Sequence, residues 1–192
     1  MEQEHQDPKE LKRESVCLLA GRVCLRPVQP CDADDLAAQI NDKEIAANTR
    51  TIEYPYPKER APKWIEMQKK NWREGKAFVF SILDAESDQF MGVTGLNIDN
   101  ENHNAELGYW LGRDYWNQGY CTEAVKLLID FGFEKLGLHK IYAHHVSRNP
   151  ASGRVLEKAG MLREGYLREQ TRKWGVFEDI VVYGMLDRDE RP

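Results

Sequence analysis

The stretch Trp116-Asn117-Gln118-Gly119-Tyr120-Cys121-Thr122-Glu123-Ala124 constrains the fold most, because the residues before it read as a strand and the residues after it as a long helix. Upstream, Ala105-Glu106-Leu107-Gly108-Tyr109-Trp110-Leu111 mixes aromatic and branched residues with glycine and alanine, which suits a strand that ends or splays. Downstream, Ala124, Leu127, Leu128, Phe131 and Leu136 fall on one helical face, while Lys126, Asp130, Glu134 and Lys135 fall elsewhere and Gly137 is placed to end the helix. A helix begins with backbone N–H groups that have no intrahelical partner, and Gly119 removes the side chain that would keep a ligand from them. Such a place binds an anion. A glycine before a helix is also an ordinary turn, so support for the functional reading has to come from elsewhere in the chain.

With 192 residues, 41% of them hydrophobic and 31% charged, the chain can bury one sizeable core and needs no second domain. Residues 1–15 are almost wholly polar and read as a flexible tail, which leaves 16–188 as the folded domain. A net charge of -5 argues against nucleic acid as a direct partner, and no transmembrane run is present in the sequence. Cys17, Cys24, Cys31 and Cys121 form no CxxC pair, have no histidine at metal-ligand spacing and follow no signal-peptide pattern, so a reduced, cytoplasmic, metal-free chain is expected. The seven-residue interval from Cys17 to Cys24 to Cys31 is read as coincidence among small buried residues.

In chain order, Arg22 to Val28 alternates as a half-buried first strand, and Asp32 is placed to cap a helix through Leu36, Ala37 and Ile40. Asn41-Asp42 offers a second helix start over Glu44 to Asn48, and two prolines hold Thr51 to Pro57 extended. A third helix opens at Pro57, with Ala61, Trp64, Ile65, Gln68 and Trp72 on one face and Gly75 at its close. Ala77 to Leu83, Phe90 to Ile98 and the strand through Glu106 form an antiparallel run joined by polar turns. Lys140 to Val146 is a strand that comes after a strand and a helix, so it should lie parallel to the Glu106 strand. Asn149 to Ser152 starts a short helix stopped by Gly160, and Met161 to Arg172 pairs with Val176 to Leu186. The fold expected is α+β: one domain with a mixed, mostly antiparallel sheet and helices on both faces.

The Trp116–Ala124 stretch, with Asn149-Pro150-Ala151-Ser152-Gly153-Arg154-Val155-Leu156-Glu157-Lys158-Ala159-Gly160-Met161 after it, resembles the GNAT acyltransferase superfamily. Within it, the nearest likeness is to the ribosomal-protein N-terminal (alanine/serine) acetyltransferase branch. The likeness runs from about Gly21 to Leu186 and includes Val23-Cys24-Leu25-Arg26-Pro27 and the Trp64-Ile65 pair. It implies a GNAT domain in which acetyl-CoA lies in a V-shaped gap between two central parallel strands that part. The pyrophosphate would then rest on the backbone of Gln118, Gly119, Tyr120, Cys121 and Thr122, and the pantetheine arm on the backbone of Tyr109, Trp110 and Leu111. Asn149 would hold the arm from the other side. Trp116 and Cys121 depart from the general superfamily pattern, which is tolerable where the backbone makes the contacts. A tyrosine seven residues after the asparagine often serves the superfamily as general acid, but here that position is Leu156.

Acetyl transfer to an amine needs the amine neutral and the departing thiolate stabilised. Glu106 is the candidate base, acting directly or through water, and is otherwise a strand-end surface carboxylate. Ser152 either hydrogen-bonds the thiolate or the water that protonates it, or simply caps the short helix. His144 and His145 point to opposite faces of a strand, so at most one of His103, His144 and His145 is expected to face the gap. Arg154 and Lys158 either reach the 3′-phosphate or are solvated helix charges. The first reading is direct acetylation of a protein N-terminus, ribosomal or similar, by a monomer or homodimer. A second is acetylation of a small amine such as a polyamine, amino acid or antibiotic, drawn by acidic residues such as Glu53 and Asp99. A third is a non-catalytic acyl-CoA sensor, suggested by Leu156.

Overall fold

The computed structural model describes Arg13 and residues 16–192. Apart from Arg13, the expected tail over 1–15 lies outside the described residues. Eight strands form one sheet: β1 (Leu18–Ala20), β2 (Val23–Pro27), β3 (Ala77–Asp84), β4 (Phe90–Asp99), β5 (Asn104–Leu111), β6 (Lys140–Val146), β7 (Leu162–Lys173) and β8 (Val176–Leu186). Their order across it is β1-β2-β3-β4-β5-β6-β8-β7, and only β5 and β6 run parallel. The helices are α1 (Ala33–Ile40), α2 (Lys43–Asn48), α3 (Arg60–Arg73), α4 (Tyr120–Glu134) and α5 (Pro150–Lys158).

Alternation along the strands divides the core in two, as a period of two residues requires. Phe78, Phe80 and Ile82 of β3 pack with Leu96, Leu107, α4 and Leu156 of α5, whereas Ala77, Val79 and Leu83 pack with Val93, α1 and α2. Helix α4 is buried over more of its girth than one stripe, since Val125, Ile129 and Phe133 are enclosed beside Leu128 and Phe131. It therefore acts as the central helix of one layer. Trp72 at the end of α3 stands edge-on to Phe78 and Phe80, with ring centroids 4.8 and 5.3 Å apart, and Phe80 meets Phe131 at 5.2 Å. Each such pair adds about 1 kcal/mol to what burial alone supplies. This cluster fixes α4, and so the turn at its start, against the sheet.

Three local expectations change. The apolar run from Val16 is split: β1 and β2 make a short hairpin around Gly21 (φ 54), where one strand was expected. Helix α3 begins at Arg60, three residues after Pro57. Asp32 does not cap α1, because its buried carboxylate accepts from both guanidinium nitrogens of Arg26 (2.7 and 2.9 Å), from Ser81 Oγ (2.7 Å) and from the Gln29 N–H (2.8 Å). Asp42, by contrast, caps α2 as expected through the N–H groups of Glu44 and Ile45. The cysteine interval also has structural content, since Cys17 and Cys31 are exposed and the Cys17 and Cys24 sulfurs lie 3.3 Å apart across the hairpin.

Burial alone would raise the Asp32 carboxyl, but its hydrogen bonds to Arg26, Ser81 and Gln29 outweigh that and hold it below its ordinary value of 3.8. Replacing it leaves Arg26 without its counter-charge in a half-buried site. Urea denaturation of Asp32→Ala at pH 7 is expected to show a loss of about 3 kcal/mol. Because the folded value is depressed, the difference between variant and wild type should stay level above pH ~5 and shrink as pH falls below 3.8.

Candidate active site

Strands β5 and β6 pair only from Asn104 to Leu107 against Lys140 to Ala143. Beyond that point each keeps its outer partner: β5 stays on β4 to Leu111 and β6 stays on β8 to Val146. The two inner edges are thereby left facing one another across a gap. Gly108 stands at the split, and a Cβ there would meet nothing within 4 Å. The edge carrying Tyr109 and Trp110 is able to pair with an extended ligand as a further strand would. The Leu111 carbonyl is already engaged by Trp116 Nε1 at 2.8 Å, which anchors the loop leading into α4.

That loop ends at Gly119, whose φ of 90° is strained for any residue with a Cβ. The N–H groups of Gly119, Tyr120 and Cys121 have no acceptor among the described residues and open the 15-residue helix α4. The Thr122 N–H is turned back onto the Gly119 carbonyl at 3.0 Å, so it drops out of the expected donor set. Burial of the Cys121 thiol pushes it up to about 12, so this residue offers only its backbone. The arrangement fits a diphosphate, because oriented donors and the positive end of a helix converge where no side chain intrudes.

Sequence reasoning missed Arg22. From the β1–β2 turn it donates to the Gln118 carbonyl (2.7 Å) and Glu123 Oε1 (2.8 Å), and its guanidinium lies 4.4 Å over the Tyr120 ring. It braces the turn at Gly119 from almost a hundred positions away, and no local pattern marks it.

Across the gap, the Asn149 side chain caps α5 by accepting from the Ser152 N–H at 3.4 Å. Ser152 therefore is not the cap, and its hydroxyl lies 2.8 Å from the Tyr109 hydroxyl, which in turn donates to the Ser152 carbonyl at 2.9 Å. Burial holds the Tyr109 phenol well above its ordinary range. Leu156 is fully enclosed in the core and reaches no part of the gap.

On the other side of the sheet, Glu106 Oε1 lies 3.4 Å from His144 Nδ1 and 3.8 Å from Arg50 Nη2. His144 is the first β6 residue beyond the split, so the pair stands at its apex. His145 points the opposite way, buried and stacked on Tyr183, with Nδ1 against the Val146 carbonyl. His103 lies in the turn before β5. Glu53 and Asp99 are spent elsewhere, on Arg60 (2.5 Å) and within the turn at Glu101 and Asn102. The wall beside Arg50 is fastened from two directions. Arg148 donates to Ala47 and Asn48, and Lys173 donates to the carbonyls of Thr49 and Ile52.

A family profile described as an acetyltransferase (GNAT) domain matches residues 22–162. The chain is 35% identical over 173 residues to the uncharacterized N-acetyltransferase p20 of Bacillus licheniformis, covering 90% of this chain and 97% of that one. It is 26% identical over 122 residues to the [ribosomal protein uS5]-alanine N-acetyltransferase of Escherichia coli, covering 62% and 63% of the two chains. A solved ribosomal-protein-S5-alanine acetyltransferase from Vibrio fischeri superposes with a TM-score of 0.82 at 22% identity, covering 93% of this chain and all of the other. The chain belongs to the GNAT acetyltransferase family, and it is an N-acetyltransferase that uses acetyl-CoA.

Two substitutions separate backbone from brace. Gly119→Val forces a β-branched residue into a left-handed conformation at the open N–H groups, and should raise the CoA dissociation constant roughly 10²-fold or more by calorimetry. Arg22→Ala removes a half-exposed support and should weaken CoA binding by no more than roughly fivefold.

Proposed function

We propose that this enzyme acetylates the N-terminal amine of a protein, with a ribosomal protein as the model acceptor. The carrying observation is the Glu106 carboxylate at the apex of the split strands, on the face opposite α4, where it draws an ammonium toward the end of the gap. The name of the Escherichia coli relative supports the choice of a protein N-terminus.

Bound acetyl-CoA supplies an activated acetyl thioester. Gly119, Tyr120 and Cys121 would hold its diphosphate through N–H groups, and the open edge at Tyr109 and Trp110 would hold the arm. The Asn149 amide nitrogen is free to donate to that arm while its oxygen caps α5. Glu106 orients the acceptor and lies on the path by which its proton leaves. Ser152, whose Oγ lies 2.8 Å from the Tyr109 hydroxyl, would donate to a developing negative charge on sulfur once Tyr109 turns its hydrogen onto that Oγ rather than onto the Ser152 carbonyl, a task Leu156 cannot perform.

Thiol release in the presence of peptides beginning with Ala or Ser, set against a panel of polyamines, amino acids and aminoglycosides, tests the reading. Turnover on the peptides is the expected result; turnover on the small amines alone would replace it, and CoA binding without turnover on either pool would favour a sensor. Glu106→Gln should lower kcat roughly 10²-fold and leave CoA affinity within about twofold.

A further inference from the structure

Glu106 does not stand alone at the apex of the split. Its Oε1 is shared between His144 Nδ1 and Arg50 Nη2, while the imidazole sits on the face that looks toward the Arg50 wall. His144 Nδ1 faces the carboxylate at 3.4 Å, a charge contact that favours the tautomer with its proton on Nδ1 and its lone pair on Nε2. A carboxylate titrates ordinarily near ~4.3, an imidazole near ~6.5 and an α-amine near ~8, so the imidazole is much the better match for taking a proton from an ammonium.

We propose that His144 is the proton acceptor for the incoming amine, and that Glu106 is the positioning residue whose charge, 3.4 Å from Nδ1, favours a proton there and leaves Nε2 to take the amine's proton. The inference rests on the acetyltransfer reading above. The amine's electron pair forms the new N–C bond and the C–S bond breaks with its pair on sulfur. From the ammonium form two protons leave the nitrogen: the first passes to His144 Nε2 before attack and frees that electron pair, the second is shed after attack, and of the two one ends on the sulfur and one in solvent.

The surroundings keep His144 neutral. Burial lowers its pKa from the ordinary 6.5; the Glu106 carboxylate on β5 opposes that, while Arg50, from the α2–α3 connection, and His145, behind it on β6, add to it. Tyr142, two residues earlier on β6, faces Glu106, and β8 sets the uncharged Val182 opposite. With a neutral imidazole in place, the enzyme can bind the abundant ammonium form of its acceptor. Without it, only the neutral amine fraction reacts.

The test is the pH profile of kcat/KM for wild type, His144→Gln and Glu106→Gln on the best acceptor, beside NMR titration of the His144 ring in CoA-free enzyme. Wild type should lose activity only below pH ~6.5. In His144→Gln the acid limb should move up toward the amine value near ~8, kcat at pH 7 should fall roughly 10²-fold, and the CoA dissociation constant should be unchanged. Exogenous imidazole should restore part of the loss. By NMR the His144 pKa should fall further in Glu106→Gln and rise in Arg50→Gln. An unmoved acid limb with kcat within twofold of wild type would overturn the proposal, as would a His144 resonance indifferent to Glu106→Gln. Absence of wild-type turnover on every acceptor, with CoA bound, would instead sink the acetyltransfer reading, while the NMR arm still decides the pairing.

Discussion

The site depends on one event in the sheet: the ladder between β5 and β6 stops after Leu107 and Ala143. Each strand is secured on its other side, β5 by β4 and β6 by β8, so both continue straight while they part. The cost is a row of backbone groups with no strand partner in the middle of a sheet, a situation that solvent or a bound extended chain must satisfy. Gly108 leaves the opening clear, and the Tyr109–Ser152 hydrogen bonds span it farther along. A sheet zipped through this point would be a better sheet and no enzyme.

The two halves of the site are built by different means. The proposed donor half is backbone: three N–H groups at the start of α4 and an unpaired strand edge, neither of which depends on side-chain identity. That is why Trp116 and Cys121 are accommodated, the first as an indole donor to Leu111 and the second as an enclosed thiol. The proposed acceptor half is side chains brought from separate elements. Arg50 lies just after α2, Glu106 is on β5 and His144 is on β6. The segment bearing Arg50 is fixed in turn by Arg148 and Lys173, whose ammonium is desolvated enough to lower its pKa. Such a wall can be rebuilt around a constant donor site, which is how one fold serves many acceptors.

Strand and helix identities were largely legible in the sequence, because alternation in Val23 to Pro27 and helical spacing in Ala124 to Phe131 are properties of consecutive residues. The parallel β5–β6 pairing came out of the strand–helix–strand order, given the handedness of such crossovers. Where the reading failed, a distant partner had intervened. Asp32 looks like a helix cap until Arg26 and Ser81 claim its carboxylate, and of the two roles left open for Ser152 the cap is removed because Asn149 fills it. Arg22 carries no local signal at all, since its role exists only against Gln118 and Glu123.

The sequence by itself determined the elements, the helix start with its open N–H groups and the glycine that leaves them uncovered, because these rest on covalent geometry and on neighbours a few residues apart. Only the tertiary structure decided where β5 and β6 separate, that Arg22 braces the anion turn, and that His144 rather than His145 meets Glu106. Each of these is set by packing and electrostatics between segments tens to about a hundred residues apart, and contacts at that range leave no periodic trace in the chain.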